Sequence, residues 1–142
     1  MDKKEALKQI KAGNFSLQDA DEKLKADKEV VLAAVKQEEY GLAFKYADES
    51  FKKDKEIVLI AVKKYGRSLE YADDSFKKDK KIVLAAIKQT GHALQYADKK
   101  FKKDKEVVLA AIKREPTDDV LKYADDSLKN DPDILAIVNK DK

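Results

Sequence analysis

Residues Tyr46–Glu70 and Tyr71–Gln95 read YADESFKKDKEIVLIAVKKYGRSLE and YADDSFKKDKKIVLAAIKQTGHALQ, identical at 16 of 25 ungapped positions. A third copy begins at Tyr96, YADKKFKKDKEVVLAAIK, and departs at Arg114. Leu24–Lys36 (LKADKEVVLAAVK) carries the same motif upstream, and Tyr123–Val138 (YADDSLKNDPDILAIV) a weakened one downstream. The junctions Gln37–Tyr40 and Glu115–Asp118 are two residues longer than the others. A unit this short cannot bury an apolar face alone, so tandem copies must stack.

Each unit reads as a long and a short helix. The long helix follows an Asp in every copy: Asp27, Asp54, Asp79, Asp104 and Asp131. Asp suits the N-cap because its carboxylate accepts from a free backbone N–H and complements the helix dipole. Pro132 after Asp131 agrees, since proline is favoured at the first helical position. Gly13, Gly41, Gly66 and Gly91 each follow a helical pattern and read as left-handed stops, with Pro116 as terminator at the fourth junction. Short helices are expected over Ser68–Asp73, Ala93–Asp98 and Val120–Asp125. Phe51, Phe76 and Phe101, with Leu24 and Leu128, plug the corners between short and long helices.

In the long helix, Val58, Leu59 and Val62 form one apolar face and Ile57, Ile60 and Ala61 the other, so it must be covered on several sides. The end copies lose opposite faces. Glu5, Lys8 and Gln9 replace the second face at one end; Leu135, Ala136 and Asn139 replace the first at the other. This predicts an all-α solenoid of about five repeats, alternating long and short helices, capped at both ends and complete. The expected organisation is one domain: a capping helix within 1–16, repeats over 17–130, and a capping helix over 131–142.

The unit L-x-Y-A-D … D-K-E-V-V-L-A-A-V-K-Q-x-G resembles a tandem-repeat domain of unknown function found mainly in bacteria and protists. The resemblance covers Leu17 to Val138 and implies an all-α repeat fold. It implies no activity, cofactor or site residue.

Chemistry is sparse. With 0 Cys, disulfides, cysteine nucleophiles and zinc knuckles are excluded. The single histidine, His92, occupies the position of Arg67 one repeat earlier and is expected to face solvent. The carboxylate pairs Glu38/Glu39, Asp48/Glu49, Asp73/Asp74, Asp118/Asp119 and Asp125/Asp126 recur with the repeat, unlike one special catalytic pair. No Gly-rich phosphate loop is present. The expectation is a non-enzyme with no cofactor and no metal. The chain is 43% hydrophobic and 42% charged with a net charge of +3, which argues against wholesale disorder. No apolar run has the length of a membrane span, nor does the start resemble a signal peptide. A reducing cytoplasm is the expected setting.

Two stripes are candidates for partner binding. Tyr46, Tyr71, Tyr96 and Tyr123 recur on the short helices, either packed between repeats or lining a groove. Lys52, Lys53, Lys77, Lys78, Lys102 and Lys103 recur at the corners and would stack into a basic ridge with a spacing of roughly 10 Å. The first expectation is a monomeric protein–protein interaction module with no membrane partner. The alternative is a nucleic-acid-associated protein, through the lysine ridge or by inhibiting a nucleic-acid-processing effector.

Overall fold

The computed structural model describes residues 1–38 and 41–142. Glu39 of the first carboxylate pair and Tyr40 of the first long junction lie outside the described residues. Among the described residues every regular element is helical. Six longer helices set the frame: α1 (Lys3–Lys11), α2 (Lys28–Gln37), α3 (Lys55–Lys64), α4 (Lys80–Gln89), α5 (Lys105–Arg114) and α6 (Pro132–Val138). Consecutive ones pack side by side. Lys3 at the start of α1 reaches Asp27 at the start of α2, and Lys64 at the end of α3 reaches the carbonyl of Lys36 near the end of α2. N-termini therefore adjoin N-termini and C-termini adjoin C-termini, so the helices form a parallel layer. The shorter segments, among them Gly66–Tyr71 and Gly91–Tyr96, stack on one another as a second layer against it.

The caps are as expected. Asp27 and Asp54 accept from the amides of Val30 and Ile57 at 3.1 and 3.2 Å. Asp79, Asp104 and Asp131 each accept from two amides of the first turn. Asp2 caps α1 in the same way, through Glu5 N–H at 2.8 Å.

The short segments differ from expectation. Gly66–Tyr71 and Gly91–Tyr96 are 3₁₀ helices that begin at the glycine, with three-residue bonds such as Ser68 N–H to Tyr65 O at 2.8 Å. They end at the tyrosine because Ala72 and Ala97 are extended. The aspartate after each of those alanines then caps a further single turn at the corner, Asp74–Lys77 or Lys99–Lys102. Each repeat thus has three helical segments rather than two.

The glycines also divide. Gly13 and Gly41 adopt the left-handed conformation, with φ of 75° and 70°, but Gly66 and Gly91 do not. These two are required by close approach. A Cβ on Gly91 would lie 2.5 Å from the carbonyl oxygen of Ala111 in the next long helix, and one on Gly66 would collide with Ala86 O.

In α3 the buried arc holds Ile57, Val58, Ala61 and Val62, while Leu59 and Ile60 are half-buried shoulders packed against the core. The same four positions are buried in α2, α4 and α5. At the ends Ala6 and Ile10, and Ile134 and Val138, are the buried residues.

Two sets of rungs tie the N-terminal edge. The amides of Asp48, Asp73, Asp98 and Asp125 donate to the carbonyls of Lys25, Lys52, Lys77 and Lys102 at 2.9–3.0 Å, one repeat back. The first lysine of a long helix also bridges the cap aspartate and second residue of the next. Lys28 meets Asp54 and Glu56 at 2.9 and 3.1 Å, and Lys80 meets Asp104 and Glu106 at 3.0 and 2.8 Å. Among the described residues this rung is missing between α3 and α4. Lys81 stands where the other helices carry Glu29, Glu56, Glu106 and Asp133, and Lys55 has no ion-pair partner among the described residues.

Candidate functional site

Tyr46, Tyr71, Tyr96 and Tyr123 are all half-buried and packed against the core. They form one row on the short-segment layer, each with a flank still open to solvent. The Lys45 ammonium lies 5.5 Å from the Tyr46 ring centre and 5.8 Å from that of Tyr71, linking two repeats. Burial, followed by the nearby Glu70 carboxylate, pushes the phenols of Tyr71 and Tyr96 up from their ordinary value. Leu42, Tyr65, Arg67, Glu70, Tyr71 and Tyr96 line a groove of about 400 Å³ across two repeats. Leu42 is 39% exposed, unusual for a large apolar side chain in this molecule. For Tyr71 and Tyr96, packing against the core and lining of a groove are therefore not alternatives; these two rings do both.

The repeats act as an internal comparison of what the scaffold needs. At the exposed position near the end of each long helix stand Lys11, Lys36, Lys63, Lys88, Lys113 and Lys140, lysine every time. A cation there complements the negative end of the helix dipole. The outward positions of the tyrosine row behave differently. Four residues before the tyrosine stand Leu42, Arg67, His92 and Asp119; one residue before it stand Lys45, Glu70, Gln95 and Lys122. Apolar, cationic, amide and anionic groups alternate on a constant tyrosine frame.

His92 is not the freely exposed histidine expected. It is half-buried, with Nε2 3.3 Å from Glu115 Oε2 and Nδ1 3.4 Å from the Tyr123 hydroxyl. Its ring meets that of Tyr123 edge-on, with centres 5.8 Å apart. Thr90 donates to the other Glu115 oxygen at 3.0 Å, so these residues close one inter-repeat boundary.

The lysine ridge is split by packing. Lys53, Lys78 and Lys103 are exposed, whereas Lys77 and Lys102 are half-buried. Lys52 leaves the ridge altogether. Only 7% exposed, it donates to Lys45 O at 3.0 Å and to Glu49 at 3.2 Å. A lysine stem is apolar enough to be buried when a carbonyl receives its ammonium. Lys77, Lys78, Lys99 and Lys102 border a second, shallower groove of about 550 Å³, which Tyr96 also lines.

The recurring acids have structural work. Asp48, Asp73 and Asp125 each accept from the amide and hydroxyl of Ser50, Ser75 and Ser127, holding their carboxyls below the ordinary range. Glu38 accepts from the Ala43 amide. Among the described residues no three His, Asp or Glu side chains converge as metal ligands. No helix among them is long and apolar enough to cross a membrane.

A family model described as a domain of unknown function (DUF4116) matches the chain three times, over residues 38–77, 79–118 and 104–137. Each matched segment is longer than one repeat, so the recurring family unit includes a repeat-to-repeat boundary. Neither the curated proteins nor the solved structures contain a match to the chain.

Proposed function

The chain belongs to the DUF4116 family of tandem helical-repeat domains, and from that premise we propose that it is a non-catalytic protein-binding module whose tyrosine row is the contact face. One observation carries this: outward residues change chemistry from repeat to repeat along the tyrosines, while the exposed lysine of the long helices stays fixed. A constant frame carrying varied groups at regular steps suits recognition of one specific extended partner. Tyrosine provides large, rigid contact area with a polar tip. On this reading the protein is a monomer in the cytoplasm and carries no cofactor.

A photo-crosslinking residue at position 67 or 95 tests the face, with position 63 or 88 on the opposite layer as control. Discrete protein adducts from 67 or 95 but not from 63 or 88 are expected, weakened by Tyr71→Ala in a variant that still folds. Adducts independent of position, or nucleic acid in place of protein, would remove the proposal. The nucleic-acid reading now rests on Lys53, Lys78 and Lys103, the ridge members that stay exposed. It requires a mobility shift that weakens steeply with salt.

A further inference from the structure

At four corners the lysine that follows the Phe or Leu plug faces a carboxylate three residues earlier. Lys25 meets Glu22 at 3.4 Å, Lys52 meets Glu49 at 3.2 Å, Lys77 meets Asp74 at 3.7 Å and Lys129 meets Asp126 at 3.1 Å. The remaining corner breaks the rule. Lys99 stands where the acid belongs, and Lys102 has no carboxylate partner among the described residues. The next position is also changed: Lys100 replaces the serine seen at 50, 75 and 127. Its ammonium lies over the Phe101 ring at 5.0 Å. With Lys103, four lysines crowd into five residues around one single-turn helix.

Like charges three residues apart on a helix repel, so this corner is less favourable to the free protein than its siblings. Lys77 and Lys78 of the preceding corner face it across the groove that Tyr96 also lines. The basic stretch keeps one acid within it, Asp74 on Lys77, and is bounded by corners that keep Glu49 on one side and Asp126 on the other. It therefore spans two corners, roughly 10 Å apart, rather than a long track.

We propose that this corner, built by Lys77, Lys78, Lys99, Lys100, Lys102 and Lys103, binds a short acidic segment, rich in Asp or Glu, of the protein partner. The inference rests on the protein-binding reading and gives that partner a chemistry. One feature favours an acidic peptide over nucleic acid. The patch is short, whereas single-stranded nucleic acid is held along a continuous basic groove. Tyr96 belongs to both grooves, so a segment seated here continues directly onto the tyrosine row.

The test is fluorescence anisotropy on the full chain with a labelled ten-residue polyglutamate peptide, with a ten-nucleotide oligothymidylate as comparison. Lys99→Glu installs the acid that the sibling corners carry, so the fold is kept, as a melting curve verifies. Lys100→Ser does the same at the next position. Lys36→Glu makes the same charge change as Lys99→Glu on the opposite edge. The expected result is tighter binding of polyglutamate than of oligothymidylate, lost roughly tenfold or more in Lys99→Glu and Lys100→Ser and less than about twofold in Lys36→Glu. No polyglutamate binding at low salt, equal loss in all three variants, or preference for the oligonucleotide would each overturn it. A protein cross-linked from position 67 whose capture survives Lys99→Glu would overturn the acidic-segment assignment and leave the binding-module reading standing.

Discussion

The backbone N–H of Asp98 donates to the carbonyl oxygen of Lys77 at 2.9 Å, across the boundary between two repeats. The Asp98 carboxylate meanwhile accepts from the Lys100 amide at 3.0 Å. One residue thus joins neighbouring repeats through its backbone and starts the next turn through its side chain. Amide hydrogen exchange should therefore show Asp73 and Asp98 protected to a degree comparable with the interior of α4, although both sit at a surface corner. Exchange at the rate of an unbonded loop amide would mean that the rung is not formed.

Gly66 and Gly91 should tolerate no side chain. Gly66→Ala or Gly91→Ala drives a Cβ into the backbone of the following long helix, an overpacking expected to cost about 1–3 kcal/mol. Gly13→Asn is the contrast: its site is left-handed, which asparagine accepts, and a Cβ there meets nothing within 4 Å. Thermal unfolding should show a clear drop for the first two and little for the third.

Lys52 and Lys53 are neighbours with opposite fates. Lys52→Ala leaves Lys45 O without its buried donor and should cost about 1–2 kcal/mol. Lys53→Ala, at an exposed site, should stay within about 0.5 kcal/mol of the parent. Equal effects in urea unfolding would contradict the inward course of Lys52.

Acid should loosen the N-terminal edge. The Lys28 and Lys105 ammonium groups hold the carboxyls of Asp54 and Asp131 below the ordinary range, and serine hydroxyls do the same for Asp48, Asp73 and Asp125. A carboxyl depressed in the folded state contributes stability that is fully present above its unfolded pKa, near 3.9, and is lost as pH falls through the folded value. Glu38 works the other way, since burial raises it. Asp27, Asp104 and Asp119 are depressed as well, so eight groups stand against that one, and the melting temperature should hold down to about pH 5 and fall below about pH 4. The lysine partners Lys28 and Lys105 are raised, so their contribution persists below their unfolded value and fades only in strong alkali.

The parts of this structure legible in the sequence are those set by local chemistry. Asp54 and Asp104 cap because a carboxylate and a free amide three residues on need nothing from elsewhere. Val58 and Val62 are buried because helical periodicity alone places them together. What was not legible depends on a neighbouring repeat. Gly66 resembles a left-handed stop until Ala86 is brought against it. His92 shares a position with Arg67 and looked exposed, but the two extra residues before Asp118 belong to a junction from which Glu115 reaches it. Lys52 and Lys53 are indistinguishable as letters; the Lys45 carbonyl decides which one turns inward. The tyrosines read as a stripe in the sequence, but stacking of the short segments is what sets their variable neighbours side by side.

Main-chain atoms take a direct part in setting neighbouring repeats in register: the Asp98 amide on the Lys77 carbonyl at one edge, the Gly91 backbone against the Ala111 carbonyl at the other. Outward side chains take no part in either contact. The molecule is in this sense a ruler whose graduations are fixed and whose markings can be rewritten. Residue 67 or 95 can change chemistry without altering the step, and a duplicated repeat adds one more graduation of the same length. On the proposed reading, a partner must carry its own contacts at the same interval.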